Sequence, residues 1–228
     1  LNVLITSAAS ATAQIIADAL NGPHSLRLTD LLSSASGDIV GNELGHGSET
    51  DELVSGIDAI VNIGYEGQAG SATHLMDYHM RRMYNLLQAA SDAGVKRFVN
   101  ISTLRLYEDH EENLVVTEKW RTDPPAEDTV LLAAHMTEYV CKEFARDRLI
   151  QVVNLRLGWP FVDSNAAESS DSAAISHELI GAAVAETLVS EGLGQWQDVH
   201  VQSPVEHQRF ITNTAAKLLP GIAERLTS

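Results

Sequence analysis

Cysteine is nearly absent. Cys141 is the only one among 228 residues, so no intrachain disulfide can form, and its helix-like setting marks it as a small core residue. Lysine is scarce as well. Four lysines sit among 15 basic residues, which face 31 acidic ones for a formal net charge of −16. Such a surface repels phosphate backbones and anionic lipid, which argues against nucleic-acid and membrane partners. It suits a salt-rich medium and equally an ordinary soluble protein. No apolar run approaches the ~18 residues that span a bilayer, and no basic leader or cleavage site stands at the start. A cytoplasmic location is the expectation. Metal motifs are missing too. Nine histidines are present, but His74 and His79 are five apart, on different faces of a helix, and Pro204 separates His200 from His207. No metal site is expected. One further absence is local: the chain opens with LNVLITSAASATAQIIADAL, a strand running into a helix with no glycine in the turn between them.

What is present is an ordinary globular composition, 44% hydrophobic and 20% charged, on a chain long enough for one sizeable core. Strand-like and helix-like segments alternate. NVLIT is a continuous apolar run, followed by a helix over 11–20. HSLRLTDL ends a second strand near Asp30, and IDAIVNIG follows a polar, Gly-rich connection (37–56). A long helix covers about 73–93, with Met76, Met80, Met83, Leu87 and Ala90 as one apolar stripe and Gly94 as its stop. VKRFVNIST is the next strand. A polar stretch over 108–128, including the charged run EDHEE, reads as a solvated loop. The helix VLLAAHMTEYVCKEFARD and the strand IQVVNLRLG come next, then a loop (163–173), a helix from ISHEL, a strand at QDVHVQSP and a helical segment over 212–226. Alternation of this kind predicts an α/β fold, a doubly wound, mainly parallel sheet with helices on both faces. Ligands then bind at the carboxyl ends of the strands: residues 6–13, 30, 42–43, 62–66, 102–107 and 157–161.

In this order the segments resemble the extended short-chain dehydrogenase/reductases, the NAD-dependent epimerase/dehydratase family. VLITSAASATAQIIADAL is similar to that family's first strand, T-G-x-x-G-x-x-G turn and helix, with Ser7, Ser10 and Ala13 where it has glycines. LRLTDL resembles its second strand with the ribose-binding acid, here Asp30. VGNEL resembles its G-D-L segment, with Asn42 in place of Asp. NLLQAASDAGVKRFVNIST is the most specific match. Counting back four from Tyr107 in LRLY places the family's catalytic hydroxyl on Thr103. The resemblance implies a Rossmann-like domain over 1–160 and a reduced, C-terminal substrate-binding region over 161–228 packed on it. It implies NAD as cofactor, contacted by Ser7, Ser10, Ala11, Thr12, Ala13, Asp30, Asn42, Glu43, Ile63 and Gly64. Asp30 would accept from a ribose 2′-hydroxyl and repel a 2′-phosphate. The family's dimers pair the helices matching 73–93 and 130–147, so a homodimer is expected, with His79, Arg81, Arg82 and Asn85 on the mixed face left for the partner.

The departures carry the functional reading. The family's catalytic pair is Y-x-x-x-K, commonly with Glu four residues later. Anchoring on Glu138 puts Val130 at the Tyr position and Ala134 at the Lys position. Val130 has no transferable proton and Ala134 no charge to tune one. Thr103 remains as a residual hydrogen-bond donor. His135 is rotated about 100° from position 134, Tyr139 and Lys142 lie more than a turn away, and Tyr107 is nearer the strand ends. Three Cβ atoms crowd the turn where a pyrophosphate would approach, so NAD binding is expected to be weak or absent. Three readings stay open: a catalytically degenerate family member that binds a nucleotide or small molecule, senses or partners; an active epimerase/dehydratase or oxidoreductase on a sugar-like substrate with a rearranged site; and a structural subunit binding no nucleotide.

Overall fold

The computed structural model describes residues 1–34, 37–111, 113–163 and 171–227. Glu112 of the charged run and most of the 163–173 stretch lie outside the described residues. Seven strands form one sheet in the order β3-β2-β1-β4-β5-β6-β9, and every neighbouring pair is parallel. They are β1 (Asn2–Ile5), β2 (Ser25–Asp30), β3 (Ile39–Gly41), β4 (Ala59–Ile63), β5 (Arg97–Thr103), β6 (Gln151–Leu157) and β9 (Trp196–Val201). A small pair, β7 (Phe161–Val162) and β8 (Ile175–Ser176), stands apart.

Both faces of the sheet are covered, which is why the central strands read as unbroken apolar runs. On one face α1 (Ala11–Leu20), α6 (His177–Val189) and α7 (Asn213–Leu218) bury Val3, Ile5, Val61, Val99 and Val153. On the other, α2 (Ser48–Val54), α4 (Met83–Asp92) and α5 (Thr129–Arg146) pack on Leu4, Ile60, Phe98 and Val152. Asp30 and Thr103 end their strands, and Thr6 and Gly64 follow theirs directly. The strand order reverses between β1 and β4, so the residues expected at a ligand site gather along one edge.

Two details differ from the sequence reading. The 37–56 connection is not featureless: it holds the three-residue strand β3 and the two-turn helix α2, both too short to show a period. The long helix is also not continuous. It runs as α3 (Ala72–Met76), a π-helical turn (Asp77–Arg82) and then α4. A π-turn inserts one residue, which rotates everything before it by about 100°. Beyond the turn Met83, Leu86, Leu87 and Ala90 are buried as a helical stripe should be. In α3 and the turn itself the buried residues are Leu75, Tyr78 and His79, so that Leu75 and His79 each take the inward place one position before the expected Met76 and Met80, and Met80 is exposed. His79 and Asn85 therefore belong to the protein's own interior rather than to a face left for a partner. His79 Nδ1 lies 2.8 Å from Thr137 Oγ1 on α5, and Asn85 donates to the Leu44 carbonyl.

One layer of the sheet is polar and, up to the half-buried carboxylate that ends it, fully buried. On the α5 side, Thr6 Oγ1 donates to Asn62 Oδ1 at 2.8 Å and Asn62 Nδ2 to Asn100 Oδ1 at 2.8 Å. Asn100 Nδ2 donates to Asn154 Oδ1 at 2.8 Å and Asn154 Nδ2 to Asp198 Oδ1 at 2.9 Å. The register places these residues side by side on β4, β5, β6 and β9, with Thr6 just past β1. Asp198 can only accept, so Asn154 must donate toward it, and each amide in turn is oriented the same way. Gly64 passes directly over the row, where a Cβ would come within 2.5 Å of Asn100 Oδ1.

Replacing Asn100 with Leu leaves a buried donor on Asn62 and a buried acceptor on Asn154 unpaired. At ~1–3 kcal/mol each, the expected loss is about 2–6 kcal/mol in urea unfolding. A loss below about 1 kcal/mol would show that the row carries no cooperative stability. Acid adds a second test. Burial lowers the His79 imidazole to about 4 and that of His200 to about 3. Between those values and the unfolded value near 6.5 the unfolded chain binds more protons, so stability is full above about pH 6.5 and falls as pH drops through this window. Melting temperature followed against pH should show that decline, and His79→Gln should make it shallower.

Candidate functional site

The turn after β1 keeps a glycine-type backbone without the glycine. Ser7 has φ = 48°, the left-handed region, where a side chain costs roughly 1–2 kcal/mol. The other two positions make no such demand. Ser10 is extended at φ = −72° and caps α1 by accepting from the Ala13 amide. Ala13 is buried between α1 and the sheet. Ser7 is held by its own hydroxyl, 2.9 Å from the Tyr78 phenol and 3.1 Å from Gln68 Nε2, which donates to it. The π-turn is what brings Tyr78, fully buried, beneath the turn. Burial pushes that phenol up to about 12, so it stays protonated at neutral pH.

Gln68 links the turn to the acid at the end of β2. Its Nε2 also donates to Asp30 Oδ1 at 2.8 Å. Asp30 is further fixed by the Leu31 amide on Oδ1 and the Ala9 amide on Oδ2. Gly67 lies so close to the turn that a Cβ there would meet Ser7 Oγ at 2.9 Å. The segment after β4 is thus laid down across the line from Ser7 to Asp30. Beside it opens a cleft of about 720 Å³, within the range of small-molecule sites, walled by Ser10, Asp30, Leu31 and Gln68, with Glu43 and Arg82 opposite. Glu43 and Arg82 form an ion pair.

The remaining expected contacts scatter. Ala11 is exposed on the first turn of α1, while Thr12 and Ile63 are buried. Asn42 is committed to its own loop: its amide donates to the Glu49 carbonyl and accepts from the Leu44 amide. Among the described residues no group of three His, Cys, Asp or Glu side chains is placed to hold a metal ion. No helix among them is long and apolar enough to cross a membrane.

Past β5 the chemistry changes character. Thr103 is buried and accepts from the Arg105 amide, capping the 3₁₀ turn Leu104–Tyr107. Facing it, the first two turns of α5 are apolar. Asp128 caps the helix, and Leu131 and Ala134 pack with Tyr65 and Leu106, with Val130 and Trp159 at the edge. Tyr65 is 4% exposed and meets Trp159 edge-on with ring centres 6.0 Å apart. Arg105 Nη1 donates to its hydroxyl at 2.6 Å. A phenol beside a guanidinium has the composition of an acid/base pair. Here burial pushes Tyr65 up to about 12, and the Arg105 hydrogen bond offsets only part of that, the wrong direction for a base at neutral pH.

The other groups weighed as substitutes are engaged elsewhere. Tyr107 is fully buried, receives a 2.5 Å hydrogen bond from Arg156 Nη1 and lies 3.3 Å from His200 Nε2; burial raises its pKa. His135 is paired with Thr122 at 2.9 Å. Tyr139 is half exposed, and Lys142 lies over the Trp196 ring. Glu138, the anchor of the helix alignment, forms a buried pair with Arg156 at 2.6 and 2.9 Å and accepts from Ser102. Burial drives its carboxyl upward, but Arg156 more than offsets this and leaves it below the ordinary range.

Three groups escaped the sequence reading: Gln68, the Tyr65–Trp159 contact and the amide row. The row did leave a trace, since three strands repeat Val-Asn-Ile or Val-Asn-Leu around Asn62, Asn100 and Asn154. No comparable pattern marks Gln68 or Tyr65, whose partners are distant in sequence.

Comparison with known proteins places this geometry. A model of the NAD dependent epimerase/dehydratase family matches residues 5–216. Uronate dehydrogenase from Agrobacterium tumefaciens superposes with a TM-score of 0.81 at 18% identity, over 99% of this chain and 88% of its own. A mutant of that enzyme complexed with NAD gives 0.80 at 17% identity, over the same shares of 99% and 88%. UDP-N-acetylglucosamine 4-epimerase from Bacillus cereus gives 0.76 at 16% identity, over 96% of this chain and 92% of its own. No curated protein matches the chain. At these identities the superpositions establish the fold.

The Gln68 bridge generates a prediction. A ribose hydroxyl reaching Asp30 Oδ1, which already accepts from Leu31 and Gln68, competes with Gln68 Nε2. Gln68→Ala removes that competitor and should strengthen NAD binding by about three- to tenfold in calorimetry, one hydrogen bond's worth. An unchanged or weaker affinity would show that Gln68 does not obstruct the cleft.

Proposed function

Because the chain belongs to the NAD dependent epimerase/dehydratase family, we propose that it retains the family's binding fold without the family's hydride chemistry. It acts as a binding protein for a nucleotide or small molecule, in a sensing or partner role. One observation carries this reading: Ala134, which the spacing from Glu138 aligns with the family's Lys as it aligns Val130 with the Tyr, is fully buried in an apolar cluster with Tyr65, Leu106 and Leu131. Proton transfer needs a positioned donor whose pKa lies near the working pH. The cluster offers only Tyr65, buried and protonated.

The turn supports the same reading by a separate route. Ser7 and Gln68 add side chains where the backbone would otherwise approach a pyrophosphate, and Ser10 already satisfies the Ala13 amide at the head of α1. Binding of NAD is therefore expected to be weaker than the fold alone would give. The occupant expected in the 720 Å³ cleft is a molecule that can donate to Asp30 beside Ser10.

Turnover decides between this reading and the rearranged-site enzyme. The unmodified protein with NAD should produce no NADH from a panel of uronates, sugars and nucleotide sugars. Clear production that is lost on mutating Tyr65, Tyr107, His135 or Tyr139 would overturn it. General acid/base help is worth ~10²–10⁴-fold, yet Val130→Tyr with Ala134→Lys should restore little. A lysine at 134 would have to enter a filled apolar cluster, so gain is expected only when Tyr65→Ala is added to make room. Absorbance of NADH at saturating NAD reads both outcomes.

A further inference from the structure

A second pocket lies on the flank of the sheet, apart from the cleft beside Ser10 and Asp30. It has a volume of about 260 Å³ and sits between α5, the β6–β9 edge and residues 118–122. We propose that it binds a small single-ring carboxylate. The proposal stands apart from the cleft over Ser7 and Asp30 and does not depend on whether that cleft holds a dinucleotide.

Size narrows the occupant first. An apolar cavity of ~150 Å³ holds benzene, so this one takes a ring with its substituents, whereas drug-sized ligands occupy ~300–1,000 Å³. Walls come next. The indoles of Trp120 and Trp196 and the phenol of Tyr139 line the pocket, and they represent two of the three tryptophans in a chain with 5% aromatic residues. Flat aromatic faces of this kind accept either an aromatic ring or the C–H face of a pyranose.

Charge fixes the third property. The floor is internally paired. Asp198 accepts from Asn154 Nδ2 at 2.9 Å and from Trp196 Nε1 at 2.9 Å, and lies 3.2 Å from Arg156 Nη2. Arg156 is in turn held by Glu138. The rim is different. Lys119, Arg121 and Lys142 all face the pocket, and among the described residues none of them lies within ion-pairing distance of a carboxylate. Glu118 also lines the pocket and Lys142 lies over the Trp196 ring, so three cations face one carboxylate on the rim, a local excess of positive charge in a chain with a net charge of −16. A ligand carboxylate would accept charge-assisted hydrogen bonds from this rim while its ring lies against Trp120 and Tyr139, beside the Trp196 indole that Lys142 covers.

The full chain is titrated with benzoate and with glucuronate, which distinguish an aromatic from a pyranose ring. Benzyl alcohol and glucose serve as the neutral counterparts. Tryptophan emission and calorimetry are read together. At least one anion should bind saturably at millimolar concentration or tighter, and its neutral counterpart should not. Lys142→Gln and Arg121→Gln should each weaken that binding by about tenfold. Both side chains are exposed, so the melting temperature should stay unchanged and certify the fold of each variant. Absence of saturable binding by both anions, equal binding of the neutral counterparts, or undiminished binding in the double variant would overturn the proposal.

Discussion

A single carboxylate orients a hydrogen-bonded row that crosses five strands. Asp198 accepts only, and this fixes the direction of Asn154, Asn100, Asn62 and finally Thr6. Unpaired amides buried at this depth would be costly, so the row must be complete or absent. Its completeness sets the lateral register of β4, β5, β6 and β9, because a slip of one residue would turn every amide to the other face. It also explains Gly64, which has to pass over Asn100 without a side chain.

The row ends at Thr6, immediately before Ser7. A rigid end there makes the left-handed Ser7 easier to understand. Strain in one residue persists only where its surroundings over-determine it, and Ser7 is clamped from below by Tyr78 and from above by Gln68. The π-turn belongs to the same arrangement, since the extra residue is what rotates Tyr78 inward to meet Ser7 and His79 inward to meet Thr137. Local irregularities in three separate segments thus answer one another across the interior.

The two parts of the candidate site are built in opposite senses. Around Ser7 and Asp30 polar side chains satisfy groups that a ligand would otherwise satisfy. Around Val130 and Ala134 the chain is packed and apolar, with Tyr65 and Trp159 closing the space above the helix start. The first tunes affinity and is reversible by a ligand that competes well. The second, on the proposed function, leaves Tyr65 as the cluster's one phenol, buried and protonated.

The sequence by itself determined the fold class and the strand ends. Buried parallel strands must be continuous apolar runs, and the spacing from Glu138 to Val130 and from Tyr107 to Thr103 is a property of the chain. Short elements such as β3 and α2 carry too few residues to show a period, and a π-turn is invisible to a 3.6-residue pattern because it shifts the phase without changing composition. Only the tertiary structure decided that Gln68 reaches Asp30, that Tyr65 closes on Ala134, and that three asparagines from three strands form one row. Each of these joins residues tens of positions apart, and their meeting depends on strand register and loop path, which no local pattern in the chain encodes.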